Sequence, residues 1–278
     1  MFCSSELAER IDRAEMRLSM GIADTVARRS PEARVLVSAL AGGHAIFAGA
    51  GGPANKAIGI GFGATIDEAS LDGIEAEWRD RGEPMRFELA TLADPSLAPL
   101  LTARGYRLTG FENVSGRLIG QADEVPPLPA GTTVEDVPAD DYREWMDVAL
   151  DAFGAPDGSA PNEEHYPREL LEAVMADFVA TPGFTRYLLR VDGVPAGEAT
   201  MRLDDGVAQL CGAATLPAFR RRGIQSLLFR WRLAVARAAG CDLAVVTTQP
   251  GSKSQENALR QGFSVLYARA VLIKPLET

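Results

Sequence analysis

Phe219-Arg220-Arg221-Arg222-Gly223-Ile224-Gln225-Ser226 joins an extended run, residues 207–216 closed by Pro217, to a segment whose apolar residues recur at Ile224, Leu227, Leu228, Trp231, Val235 and Ala238. That spacing predicts a helix with one buried face. Three arginines at its start sit where the helix macrodipole favours anions and repels cations, so a bound anion would resolve the mismatch. Gly223 has no Cβ and lets a ligand approach the backbone, toward which the N–H groups of the first turn point. The octapeptide therefore reads as a phosphate or pyrophosphate site. A solvated arginine turn with a strain-relieving glycine is the alternative reading.

Residues 241–248 read as a compact buried strand (Leu243, Ala244, Val245, Val246), residues 249–252 as a turn, and residues 253–261 as a short helix stopped by Gly262-Phe263. With these in place the chain resembles the GNAT superfamily of acetyl-CoA-dependent N-acetyltransferases. The family pattern at the strand-to-helix turn, Arg/Gln-x-x-Gly-x-Gly/Ala, is met by Arg220 and Gly223 and imperfectly by Gln225. The Gly-Phe pair closing a short helix about forty residues on is met by Gly262-Phe263. The resemblance spans residues 132–272.

The resemblance implies acyl transfer from acetyl-CoA, as co-substrate, to a primary amine of a small molecule or peptide. It also implies that the strand before the turn (Ala213, Ala214, Thr215) pairs with the pantetheine by main-chain groups. The pyrophosphate would meet Arg220 and the N–H groups of Arg221, Arg222, Gly223, Ile224, Gln225 and Ser226, with Ser254 or Asn257 reaching the pantetheine from the other side. Three departures stand out. Gln225 replaces a small residue, so its side chain must turn outward; Ala258 stands where relatives often carry a tyrosine acid; Gln209 stands where many carry a glutamate base. Glu198 is then the best carboxylate for the base, and Tyr267 or Tyr187 for the acid, each with a packing role as the alternative. A non-catalytic acyl-CoA-binding protein is the competing function.

The chain has 278 residues, 46% hydrophobic and 24% charged, enough for two ordinary domains, with a net charge of −10 that disfavours a nucleic-acid binder and suits a cationic amine. Cys3, Cys211 and Cys241 are too few for a disulfide framework and imply a reducing cytoplasm. His44 and His165 have no second ligand at metal spacing, so no metal is expected. Residues 1–6 lack the pattern of a signal peptide, and the uncharged stretch 35–55 is too rich in glycine to span a membrane.

The first half repeats the order of the second. Residues 6–20 read as an amphipathic helix followed by a second piece through Ala27, residues 34–40 and 45–48 as a hairpin, 56–63 as a strand, 67–82 as a helix, 85–92 as a strand and 95–104 as a short helix. Gly105 lies 20 residues after Met85 as Gly262 lies 20 after Asp242. A diverged duplication is the economical account. Gly59-Ile60-Gly61-Phe62-Gly63 resembles half of a dinucleotide fingerprint but alternates within a strand. The first copy has Asp67 and Glu68 in place of the arginines, and carboxylates there repel phosphate. The expectation is an α/β (α+β) chain of two GNAT-like domains, each a mixed, mostly antiparallel sheet flanked by helices: 1–121 without cofactor, a proline-rich linker at 122–131, and 132–278 with acetyltransferase function. The polar loop 154–164 is a candidate substrate lid.

Overall fold

The structure, a computed structural model, describes residues 1–155 and 168–276. Two compact units divide it: Met1–Val114 together with the C-terminal stretch from Val265, and Ser115–Ser264. The loop expected as a lid lies, beyond Ala155, outside the described residues, as does His165.

The first unit opens with α1 (Ser5–Arg29), whose N-cap Ser4 accepts from the Leu7 amide. It is one helix, not two pieces, because Leu18, Ile22 and Val26 continue the buried stripe begun by Ile11 and Ala14. Strands β1 (Leu36–Leu40) and β2 (Gly43–Phe47) form a hairpin on Ala41-Gly42, both left-handed. Next come β3 (Lys56–Ile58), α2 (Glu68–Asp80), β4 (Met85–Ala90), α3 (Leu97–Ala103) and β5 (Arg107–Leu118), whose residues from Ser115 on belong to the second unit. β3 ends before the glycine run, which is a turn with positive φ at Gly59, Gly61 and Gly63. The Gly61 amide donates to Ala41 and its carbonyl accepts from Asp94, which commits the middle of that turn to the fold. Phe47, Leu71, Trp78, Phe87 and Leu101 form the core.

The last strand of the chain, Ser264–Lys274, runs antiparallel to β4 from Arg269↔Ala90 to Lys274↔Met85. It therefore belongs, from Val265, to the first unit and not to the expected 132–278 domain. Physically, Leu272 packs into that unit's core and Arg269 bonds Asp12 there at 2.6 Å. The strand β5 was not expected from sequence: most of its residues are exposed or half-buried, so it shows little period-two alternation.

The second unit runs β6 (Thr132–Val137), α4 (Arg143–Phe153), α5 (Arg168–Ala180), β7 (Phe184–Val191), β8 (Val194–Asp204), β9 (Val207–Gln209), β10 (Ala213–Thr215), α6 (Ile224–Ala238), β11 (Leu243–Thr248) and α7 (Lys253–Arg260). Asp192-Gly193 and Asp205-Gly206 are left-handed pairs that turn β7 into β8 and β8 into β9. The sheet order is β11-β9-β8-β7-β6, antiparallel except for the parallel pair β9–β11, with β10 also on β8. Helix α6 covers one face over Tyr187, Leu189, Ala199 and Met201; α4 and α5 form a second cluster around Trp145, Met146 and Val179. Gly197 brings the start of α6 onto β8, since a Cβ there would stand 2.9 Å from Ile224 Cγ2 and 3.0 Å from the Ala214 carbonyl oxygen. Each unit has one parallel pair among its strands: β3 and β4, joined through α2 (Ala57↔Phe87), and β9 and β11, joined through β10 and α6 (Leu243↔Val207).

Candidate active site

Helix α6 begins without a side-chain cap: its N-cap is Gly223 at φ 78°, two residues after Arg221 at φ 63°. Helices α3 and α4 also lack a side-chain cap, whereas α1, α2 and α7 carry Ser4, Asp67 and Ser252 as N-caps, each accepting an amide of its own first turn. An absent cap costs about 1 kcal/mol. Burial of Ile224, Leu227 and Leu228 contributes about 1.5–3 kcal/mol each, so packing holds the helix start and leaves its amides to an outside acceptor. The left-handed residues at 221 and 223 fold the preceding backbone into a turn of the kind whose amides converge on an anion. At the start of α2 in the first unit, the Asp67 carboxylate accepts from the Ser70 amide at 2.9 Å.

Two of the three arginine side chains are placed otherwise than expected for phosphate ligands. Arg220 donates to the carbonyl of Thr215 at 3.2 Å, to that of Ala152 at 3.3 Å and to that of Ala155. It thus neutralises the carbonyl end of α4, where the macrodipole welcomes a cation. Arg222 lies over the Phe219 ring at 5.3 Å. The turn offers an anion its backbone and the exposed Arg221.

The expected strand 207–216 is broken. β9 pairs with β11 as far as Gln209↔Val245, with Leu210 N–H on the Val245 carbonyl at 2.9 Å; beyond the break at Cys211-Gly212, β10 keeps β8 as its neighbour, and no further pairing with β11 follows. The Thr200 amide donates to Gly212 and the Leu216 amide to Ala196, so alternation turns the polar groups of Ala213 and Thr215 away from β8, onto the free edge. Two side chains sit on that edge. Gln225 Nε2 donates to the Ala213 carbonyl at 3.2 Å, and Arg220 takes that of Thr215. Gln225 therefore turns inward, not outward, because the edge presents it with an unpaired carbonyl.

Under the break lies Arg232, 1% exposed, donating to the carbonyls of Thr200 at 2.9 Å, Cys211 at 3.0 Å and Gly212 at 3.4 Å. Burial lowers its pKa to about 10 against the opposing pull of Glu198. Sequence reading missed this residue, although 224, 228 and 232 fall on one stripe and a cation on a core stripe signals buried acceptors.

Glu198 projects from β8 into a cavity of about 230 Å³ whose walls include Trp145, Phe153, Phe178 and Phe184, with Thr200 and Arg186 on the same sheet face. Glu198 is 1% exposed and its Oε1 has no hydrogen-bond partner. Burial pushes its pKa up to about 8, the nearby charge of Arg232 opposing. At neutral pH it is mostly protonated and becomes a base as pH rises.

The other expected acid–base groups are not brought to this cavity. Tyr267 belongs to the first unit, where its hydroxyl donates to Asp12 at 2.5 Å and burial raises its pKa well above the usual tyrosine value. That phenol is a structural partner of the buried Asp12–Arg269 pair. Tyr187 is fully buried against α6 as a core residue. On α7, Ser254 is exposed, Asn257 half-buried and Ala258 fully buried in the core. Among the described residues no helix is long and apolar enough to cross a membrane, and no group of three or more His, Cys, Asp or Glu is placed to hold a metal ion.

Residues 142–263 match the model of the Acetyltransferase (GNAT) family. No curated protein matches the sequence. The chain is similar in fold to a GCN5-related N-acetyltransferase from Kribbella flavida, with 22% identity, a TM-score of 0.62, and coverage of 92% of this chain and 96% of that one. It is also similar to one from Sphaerobacter thermophilus (18% identity, TM-score 0.56, covering 76% and 68%). A third likeness is to a tandem GNAT protein from the clavulanic acid biosynthesis pathway (13% identity, TM-score 0.59, covering 76% and 70%).

Proposed function

We propose, from the match of residues 142–263 to the GNAT acetyltransferase family model, that this chain transfers an acetyl or other acyl group from acetyl-CoA to a primary amine. The observation that carries this reading is the conjunction, in one unit, of an uncapped helix start at Gly223 and a free strand edge at Ala213 and Thr215. The pyrophosphate would lie on the amides between Arg221 and Ser226, and the pantetheine along the edge now held by Gln225 and Arg220. Ser254 and Asn257 remain candidates for its far side. The first unit, with Asp67 in the anion position, is read as a degenerate copy that binds no cofactor, and the whole as a cytoplasmic protein.

In the reaction the amine nitrogen attacks the thioester carbonyl carbon. The C–S bond breaks with its electron pair on sulfur, and the proton released by the amine passes to Glu198, directly or through water. Ala258 offers no hydroxyl, so the thiolate takes its proton from solvent. A thiol of ordinary acidity, pKa about 8.5, leaves partly unassisted. A positioned base typically contributes about 10²–10⁴-fold.

The second reading, a protein that holds acyl-CoA without turnover, is favoured by the packing positions of Tyr267, Tyr187 and Ala258, which leave the thiolate no tyrosine donor. A panel of primary amines with acetyl-CoA, followed by free thiol release, separates the two. Release that depends on the amine supports transfer; acetyl-CoA binding with no release from any amine supports the holder.

A further inference from the structure

Arg186 stands on β7 directly across from Thr200, and Leu188 across from Glu198, so Arg186 and Glu198 share one face of the sheet as diagonal neighbours. Such neighbours lie about 7–8 Å apart at the backbone. Both line the same cavity. Arg186 is only 5% exposed; one nitrogen, Nη1, donates to the Val179 carbonyl at 3.2 Å, while Nε has no partner. Among the described residues the group whose charge acts on it is the Tyr142 phenol, not a carboxylate. The other buried arginines are matched: Arg269 by Asp12, Arg232 by three carbonyls.

A guanidinium keeps its charge in a protein, and a buried charge is retained where something pairs with it. Burial lowers the pKa of Arg186, with the nearby Tyr142 phenol opposing. The remaining walls, Trp145, Phe153, Phe178 and Phe184 among them, are apolar. The volume of about 230 Å³ is below the range usual for drug-sized ligands, about 300–1,000 Å³.

We infer that the acceptor is a small apolar amine that also carries a carboxylate, the carboxylate bound by Arg186 and the amine presented to Glu198. This rests on the acyl-transfer reading of the same cavity. The planar fork of an arginine suits a carboxylate in a two-point contact. A peptide N-terminus fits less well, since its first residue has no carboxylate to offer and its chain must leave the cavity. A free amino acid with an aromatic or aliphatic side chain satisfies all three features at once.

Two measurements test this. In the first, kcat/KM with acetyl-CoA is compared for phenylalanine and its primary amide, in the wild type and in Arg186→Gln. The wild type should prefer the acid by about 10–10²-fold, as expected of a hydrogen-bonded charge pair, and Arg186→Gln should bring the ratio near one. In the second, which needs no turnover, 3-phenylpropanoate and its amide are titrated calorimetrically into both proteins. The same preference and the same loss are expected. Arg186-dependent binding of 3-phenylpropanoate without acetylation of any amine would keep the anchor and refute acyl transfer. Acetylation with equal efficiency for acid and amide would do the reverse. A preference that survives Arg186→Gln overturns the inference, and should that variant fail to fold, the wild-type acid-to-amide ratio decides alone.

Discussion

Gln225 Nε2 donates to the carbonyl oxygen of Ala213 at 3.2 Å, so the first turn of α6 reaches back onto the strand edge left free where β11 departs. An extended ligand that pairs with this edge must displace that amide. The hydrogen bond is worth about 1 kcal/mol net. Gln225→Ala is therefore expected to tighten acetyl-CoA binding about fivefold, measured as the dissociation constant by calorimetry. Unchanged or weaker binding would mean that Gln225 stays in place and contributes to the bound state.

Glu198 governs the pH dependence. With a pKa of about 8 it carries a proton at neutral pH, and only the ionised form accepts one. kcat/KM should rise with pH and level off near that value, and Glu198→Gln should lower it about 10²-fold or more and flatten the profile. A variant with full activity and an unaltered profile would remove Glu198 from the mechanism.

The same group makes a stability prediction of definite sign. Its folded pKa is raised above the ordinary glutamate value, so between about pH 4.5 and 8 the folded state binds more protons than the unfolded one. Raising the pH through that window should destabilise the wild type relative to Glu198→Gln. Chemical denaturation at pH 5 and pH 8.5 reads the difference, and parallel pH dependences for the two proteins would contradict it.

Tyr267 gives the opposite pattern. Its hydroxyl and the guanidinium of Arg269 both bond Asp12 Oδ1, at 2.5 and 2.6 Å. Removing the hydroxyl takes one donor from a buried carboxylate and should cost about 1–3 kcal/mol of stability. Tyr267→Phe should accordingly lower the denaturation midpoint and leave kcat unchanged; a large fall in kcat at unchanged stability would restore Tyr267 as a proton donor.

What the sequence made legible was local. The apolar stripe of α6, the Asp-Gly turns after Val191 and Asp204, and the short helix closed by Gly262 each follow from spacing and turn chemistry within a few residues. Three features depended on distant partners and were not legible. The last strand pairs with β4, some 180 residues away in sequence, because Arg269 and Leu272 find their complements in the first unit. Gln225 turns inward because the strand edge beside it is open. Arg232 needs the carbonyls exposed where β9 gives way to β10, a break that a uniformly extended reading of residues 207–216 conceals. Arg220 shows the same limit: its charge was legible, but its partners, the carbonyls of Thr215 and Ala152, were set by tertiary structure.

Binding of acetyl-CoA at this site requires the amides at the start of α6 to receive an anion. A Cβ at residue 223 would meet nothing within 4 Å, so Gly223→Asn and Gly223→Asp share the left-handed strain at φ 78° and differ in charge. Acetyl-CoA titrated calorimetrically should bind wild type at one site per chain. Binding should persist in Gly223→Asn and be weakened at least 10²-fold in Gly223→Asp, where a carboxylate faces the pyrophosphate. The ligand's stabilisation, about 2.7 kcal/mol at 100 times the dissociation constant, should vanish with it. Wild-type affinity in Gly223→Asp, or a second site in the wild type, would contradict the assignment.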